Sequence, residues 1–129
     1  TQSGLTVSFH YDGDISRVSR PIALFCYRMV QEGLTNIARH AQAHTVTIGL
    51  HVLPSKLTLS VRDDGIGFSA NRAERARLNN HLGLVSMRER ADVLNGTFAI
   101  DSHPGEGTTL TISLPLYLSE EEEHEHSLG

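Results

Sequence analysis

The sequence predicts an α+β two-layer sandwich, a mixed and mostly antiparallel sheet with its helices on one face. Three observations predict it. Five short stretches alternate apolar and polar residues at the period of a strand. Two longer stretches repeat their apolar residues at the period of a helix. They follow one another as β-α-β-β-α-β-β, an order in which most neighbouring strands can pair directly.

The first stretch, Leu5–His10 (LTVSFH), alternates and reads as an edge strand, and Asp-Gly-Asp then turns the chain. Pro21 suits the first turn of a helix. From there to about Ala41, the residues Ile22, Phe25, Met29, Leu34, Ile37 and Ala41 recur at helical spacing. TVTIGLHV and KLTLSVRD alternate around the turn LPSK and predict a hairpin. Residues 69–80 (SANRAERARLNN) are polar and Arg-rich, and read as a long mobile loop. GLVSMRERADVLNG is amphipathic, with Leu84, Met87, Ala91 and Leu94 on one stripe and Gly96 as its stop. TFAIDS and TTLTISLPL predict two last strands around the turn HPGEG.

With 129 residues, 39% of them hydrophobic and 20% charged, the chain suits one soluble globular domain. It has no apolar run long enough for a membrane span and no pattern of a signal peptide. Its start reads like a cut from a longer chain. The domain is expected over residues 1–118, with an acidic disordered tail over 119–129. The tail holds five of the 15 acids, leaving 10 acids against 11 bases in the body. That near-neutral body argues against nucleic-acid binding. The single Cys26 excludes an internal disulfide, fits a reducing compartment, and is expected to be a buried helix residue.

On a helical wheel Arg28, Glu32, Asn36, Arg39 and His40 gather in one polar sector beside the apolar one. A solvated face aided by an Arg28–Glu32 pair would explain most of it. Gly33 and Asn36 are poor helix formers, however, and an Asn oxygen suits a hard cation. Three glycine turns add to this: DDGIG after a strand, HLGL before a helix and PGEGT before a strand. Glycine admits close backbone approach, and the N–H groups at a helix start attract phosphate. None fits the P-loop or dinucleotide fingerprint, so together they suggest a nucleotide site of another type.

EGLTNIARHA, DDGIGF, HLGLVSMRERADVLNG and PGEGTTLTISLPL, in this order, closely resemble the ATP-binding domain of bacterial sensor histidine kinases. YRMVQEGLTNIARHA and GLVSMRERA are similar to the NarX/DesK/LiaS branch, within the superfamily of gyrase, Hsp90, histidine kinases and MutL. The resemblance runs from about residue 5 to Leu116. It implies the Bergerat ATP-binding fold, with ATP and Mg²⁺ as cofactors. It places Asn36 as Mg²⁺ ligand and Glu32 one turn earlier as a second catalytic residue. Arg39 stands near the phosphates, and His40, at the next position, and His81 belong to the site wall. Asp63 would accept from the adenine amino group, Gly65 and Gly67 would let the loop pass the base, and Asp64 would be a solvated turn residue. Gly83 and Leu84 would offer N–H groups to phosphate, and Gly105, Gly107 and Thr108 would line the strand side. Residues 69–80 would form the ATP lid.

The resemblance further implies γ-phosphoryl transfer to a histidine on a dimerisation domain of the parent chain, and a response regulator as partner. The parent would be a membrane-anchored homodimer with this domain cytoplasmic and free of membrane contact. None of the eight histidines lies on a dimerisation helix, so the fragment is not expected to phosphorylate itself. The alternative is an ATP-binding regulatory switch or an anti-sigma-type serine kinase of the same superfamily. What lies upstream of Thr1 would separate the two.

Overall fold

The computed structural model describes residues 4–67 and 83–116, so the expected lid over 69–80, His81 and the tail over 119–129 lie outside the described residues. Strand β1 spans Thr6–Gly13, and a short 3-10 turn follows at Ile15–Arg17. Helix α1 spans Arg20–Asn36 and continues as a π-helical turn at Ile37–Ala41. Then come β2 (Thr45–Val52), β3 (Lys56–Asp63), α2 (Leu84–Val93), β4 (Thr97–Ser102) and β5 (Thr108–Pro115). The five strands form one sheet in the order β1-β2-β3-β5-β4.

Periodicity dictates which side of the sheet is buried. Rows such as Ile48–Val61–Leu110–Ile100 and Leu50–Leu59–Ile112–Phe98 face the helices. The opposite face carries Thr47, Arg62, Thr109 and Asp101 in register. Phe25, Met29 and Ile37 of the first helical stretch, with Leu84, Met87 and Ala91 of α2, complete the core. Each such side chain contributes roughly 1.5–3 kcal/mol when fully buried, Ala91 less. Cys26 is buried as expected, and burial pushes its thiol up to about 11. Gly33 is buried too, and its Cα side meets Val61 of β3 at ordinary packing distance, 3.6 Å from where a Cβ would stand.

Three expectations are corrected in detail. The first strand runs on through Asp12 and Gly13, because its whole length pairs with β2, Thr6 opposite Thr45 through Gly13 opposite Val52. That pairing is parallel, which needs a crossover, and α1 supplies it. The first helix is regular only to Asn36, and the π-helical turn and a left-handed Gln42 (φ 51°) then release the chain into β2. The end of α2 uses Asn95, not Gly96, as its left-handed residue (φ 59°). Gly96 N–H donates to Ala91 O at 2.9 Å and Asn95 N–H to Asp92 O at 2.9 Å, the paired bonds of a Schellman ending. Gly96 is needed for space, since a Cβ there would stand 2.6 Å from Ser113 O and strike Leu114.

Candidate nucleotide site

Asp63 ends β3, the middle strand, on the core-facing side, with only 5% of its surface exposed. Its Oδ1 accepts from Gly65 N–H at 2.7 Å, and the backbone N–H of Thr108 also donates to the carboxylate. Burial pushes the carboxyl above its ordinary range, the two N–H bonds oppose this, and the neighbouring Asp64 charge adds to it. A buried acid on the last strand position, with its lone pairs directed by fixed N–H groups, is a pre-set hydrogen-bond acceptor.

Asp64 departs from the expectation of a merely solvated residue. It is exposed, but its Oδ1 accepts from His44 N–H at 2.8 Å and Thr45 N–H at 2.9 Å, which holds its carboxyl below the usual range. Asp64 N–H donates in turn to Thr45 O at 3.3 Å. The two adjacent acids therefore divide the work: Asp63 faces inward, and Asp64 buckles the loop onto the start of β2.

The same loop is fixed on two further sides. Ile66 N–H donates to Ala41 O at the end of the π-helical turn, 2.8 Å, and Gly105 N–H donates to Ile66 O, 2.6 Å. The stacking is tight enough to exclude side chains. A Cβ at Gly65 would strike Ala41 O, one at Gly67 would strike His103 O, and one at Gly107 would strike Asp63 O. These three glycines have a protein-side reason, wall against wall. Gly83 (φ 69°) and Gly105 (φ 80°) differ: among the described residues no non-neighbouring heavy atom lies within 4 Å of their missing Cβ. Thr108 pairs its hydroxyl with Ser102 Oγ at 2.7 Å, and Ser102 Oγ donates to Gly107 O at 3.1 Å, so Ser102 and Thr108 brace the turn.

The structure thus brings Asp63, Gly65, Gly67, Gly105, Gly107 and Thr108 to one end of the sheet, beside the end of the Asn-bearing helix. Asn36 and Glu32 are half-buried on α1, Arg39 is exposed on the π-helical turn, and His40 shares that turn. Gly83 and Leu84 open α2. Glu32 does not pair with Arg28: its Oε1 accepts from Arg90 Nη1 of α2 at 3.1 Å. Ser102, Arg90 and the Ala41 carbonyl were not singled out from the sequence, and Asp64 was expected only as a solvated turn residue. Only Ser102, a hydroxyl just before a Pro-Gly turn, carried a local hint. Among the described residues no buried side-chain polar atom lacks a partner, and no group of three or more His, Cys, Asp or Glu is arranged to hold a metal.

The described residues thus form a two-layer α+β domain with a buried acceptor and a glycine-built wall at one end of the sheet. The comparisons define it further. Residues 22–118 match the family described as histidine kinase-, DNA gyrase B- and HSP90-like ATPase (HATPase_c), and the chain belongs to this family. It is 32% identical over 118 residues to the signal transduction histidine-protein kinase/phosphatase DegS of Brevibacillus brevis, covering 92% of this chain and 30% of that protein. It is 34% identical over 113 residues to the oxygen sensor histidine kinase NreB of Staphylococcus carnosus, covering 88% and 32%. Against the sensor histidine kinase LiaS of Bacillus subtilis it is 32% identical over 119 residues, covering 92% and 32%. These relatives agree with the NarX/DesK/LiaS branch. The chain spans about a third of their length. The blue-light activated histidine kinase of Erythrobacter litoralis shares the fold, with a TM-score of 0.65 at 23% identity over 92% of this chain and 37% of that one.

Proposed function

We propose that this domain binds Mg-ATP and serves as the catalytic domain of a sensor histidine kinase, donating the γ-phosphoryl group to a histidine on the parent's dimerisation domain. One observation carries it: the buried Asp63 carboxylate, set by Gly65 and Thr108 N–H groups inside a wall that three separated segments build. A carboxylate only accepts, so it selects a base edge that donates, as the adenine amino group does. The first N–H groups of α2, at Gly83 and Leu84, suit phosphate. In this reading Arg39 belongs to the phosphate side, and His40, Gly65, Gly67, Gly105, Gly107 and Thr108 belong to the wall, as does His81, which lies outside the described residues.

Asn36 fits the metal in kind and number. Mg²⁺ beside a nucleotide takes one or two protein oxygens and completes its shell with phosphate and water, so a lone amide oxygen suffices without a carboxylate cluster. When bound, Mg²⁺ would offset phosphate charge. In this reading Glu32, one turn before Asn36, orients a water or accepts a proton, the alternative being an acid beside the acceptor histidine. In the parent we assign a homodimer, a response regulator as partner and a membrane anchor outside this segment. Among the described residues no helix is long and apolar enough to cross a membrane.

The test is ligand-dependent melting. At a nucleotide concentration ~100 times Kd the gain is about 2.7 kcal/mol, a shift on the order of 10 °C for a domain of this size. Asn36→Ala should lose affinity chiefly when Mg²⁺ is present and little in EDTA. No shift with saturating Mg-ATP would remove the ATP reading, and equal losses in both conditions would remove Asn36 as metal ligand.

A further inference from the structure

The stretch Met87–Ala91 (MRERA) marks the sequence, yet the site above uses only the start of α2. The structure shows what the rest does. Met87 and Ala91 point into the core. Arg88 lies over the Phe98 ring of β4, 5.4 Å from its centroid. Arg90 reaches the other way, across the seam to α1, and donates to Glu32. Helix α2 is thereby held on three sides.

Two features separate the Arg90–Glu32 pair from an ordinary surface ion pair. The first is what it joins. Glu32 stands one turn before Asn36, and Arg90 stands on the helix whose opening N–H groups face the proposed phosphate position. The second is distance from the ligand. Arg90 lies roughly 9 Å along the axis from Leu84, so its guanidinium serves Glu32 and not the helix start. The side chains are 45% and 38% exposed and share a single N–H···O bond, so the pair adds little to stability. Its consequence is geometric: it bridges the two helices that, on the Mg-nucleotide reading, both face the phosphate arm. It also uses one acceptor site of Glu32 Oε1, leaving the remaining lone pairs of the carboxylate for the proposed water-orienting work.

We infer that Arg90 is a positioning residue that, through Glu32, sets the site's fit to the phosphate arm of the nucleotide. This rests on the Mg-nucleotide reading above. The experiment compares Mg-ADP with adenosine, which shares the base contacts and lacks the phosphates, for the 129-residue chain and its Arg90→Gln, Arg90→Lys, Glu32→Gln and double Arg90→Gln/Glu32→Gln variants. Arg90→Gln should weaken Mg-ADP ~3- to 10-fold and leave adenosine within about twofold, Arg90→Lys should recover most of the loss, and the double variant should be no weaker than the weaker single. A merely structural bond would move both ligands together or neither. Equal losses for adenosine and Mg-ADP, or unchanged Mg-ADP binding in Arg90→Gln and Glu32→Gln while the unsubstituted 129-residue chain binds it, would overturn the inference. Should Arg90→Gln not fold, Arg90→Lys and Glu32→Gln decide by the same ratio. A parent chain that binds no Mg-ADP would overturn the nucleotide reading and this inference together.

Discussion

Asp63 and Asp64 are chemically identical neighbours that answer to opposite surroundings. Burial raises the Asp63 carboxyl above its ordinary value of 3.8, so the folded state holds that proton more tightly than the unfolded chain. Its contribution to stability is therefore fullest below the unfolded value and is lost as pH rises through the folded one. Two N–H donors lower Asp64, so its contribution is present above the unfolded value and is lost as pH falls. Ligand-free urea melts from pH ~3 to pH ~7 should show opposite slopes. The stability of the parent chain relative to Asp63→Asn falls with rising pH, whereas relative to Asp64→Ala it grows. Two slopes of the same sign would refute the division of roles. With nucleotide, Asp63→Asn should also narrow the preference for ATP over GTP. Guanine sets an O6 acceptor against the carboxylate, an unpaired buried contact costing about 1–3 kcal/mol, or roughly 5- to 150-fold, and calorimetry of both nucleotides reads it.

Among the elements, the close of α2 shows how two adjacent small residues carry different constraints. Asn95 adopts φ 59°, which glycine accepts without strain and most side chains do not. Asn95→Gly should be nearly neutral in chemical denaturation, and Asn95→Ala should lose about 1 kcal/mol. Gly96→Ala should lose more, ~1–3 kcal/mol, because its methyl must displace Leu114 or the Ser113 carbonyl. A larger loss at Asn95→Ala than at Gly96→Ala would reverse the assignment of cap and spacer. At α1 the regular wheel holds through Asn36, and the π-helical turn changes the angular step after it. The sequence grouping of Arg39 and His40 with Glu32 therefore does not carry over as drawn, although all lie on one continuous stretch.

Over the whole molecule, the five strands and two α-helices of the described residues were legible, because apolar periodicity reports which way each side chain faces, whereas the 3-10 and π-helical turns were not. Partner choice was not. The alternation in Leu5–His10 holds no sign that β1 lies parallel to β2, or that β5 enters beside β3 ahead of β4. The site followed the same division. The glycine turns that hold Gly65, Gly67, Gly83 and Gly105 stood out locally, and Asp63 was picked from the acid pair by the resemblance to the family motif. The Arg90–Glu32 bond, 58 residues apart, and the Asp64 bonds to residues 19 and 20 positions away had no local mark. The same scale carries one more expectation. Of the histidines within the described residues, His10 and His51 lie in the sheet, His40 in the π-helical turn, and His44 and His103 in its connections. Incubation of the chain with labelled ATP alone should give no acid-labile phosphohistidine, and a matching dimerisation domain added in trans should supply the acceptor. Strong labelling of a native histidine would show that an acceptor had been overlooked.

The closed packing around Gly65, Gly67 and Gly107 bears on how mutational maps of such domains are decoded. An alanine scan scored by nucleotide capture would return these three beside Asp63, as if the ligand touched them all. Here each methyl would first collide with a backbone carbonyl of the opposing segment. Loss of capture at these positions would report a pocket that fails to close, and their presence in a chain certifies the architecture of the pocket alone. Under the proposed function, whether such a pocket is active or silent would be decided by the side chains that the glycines leave standing, Asp63 and Asn36 before the others.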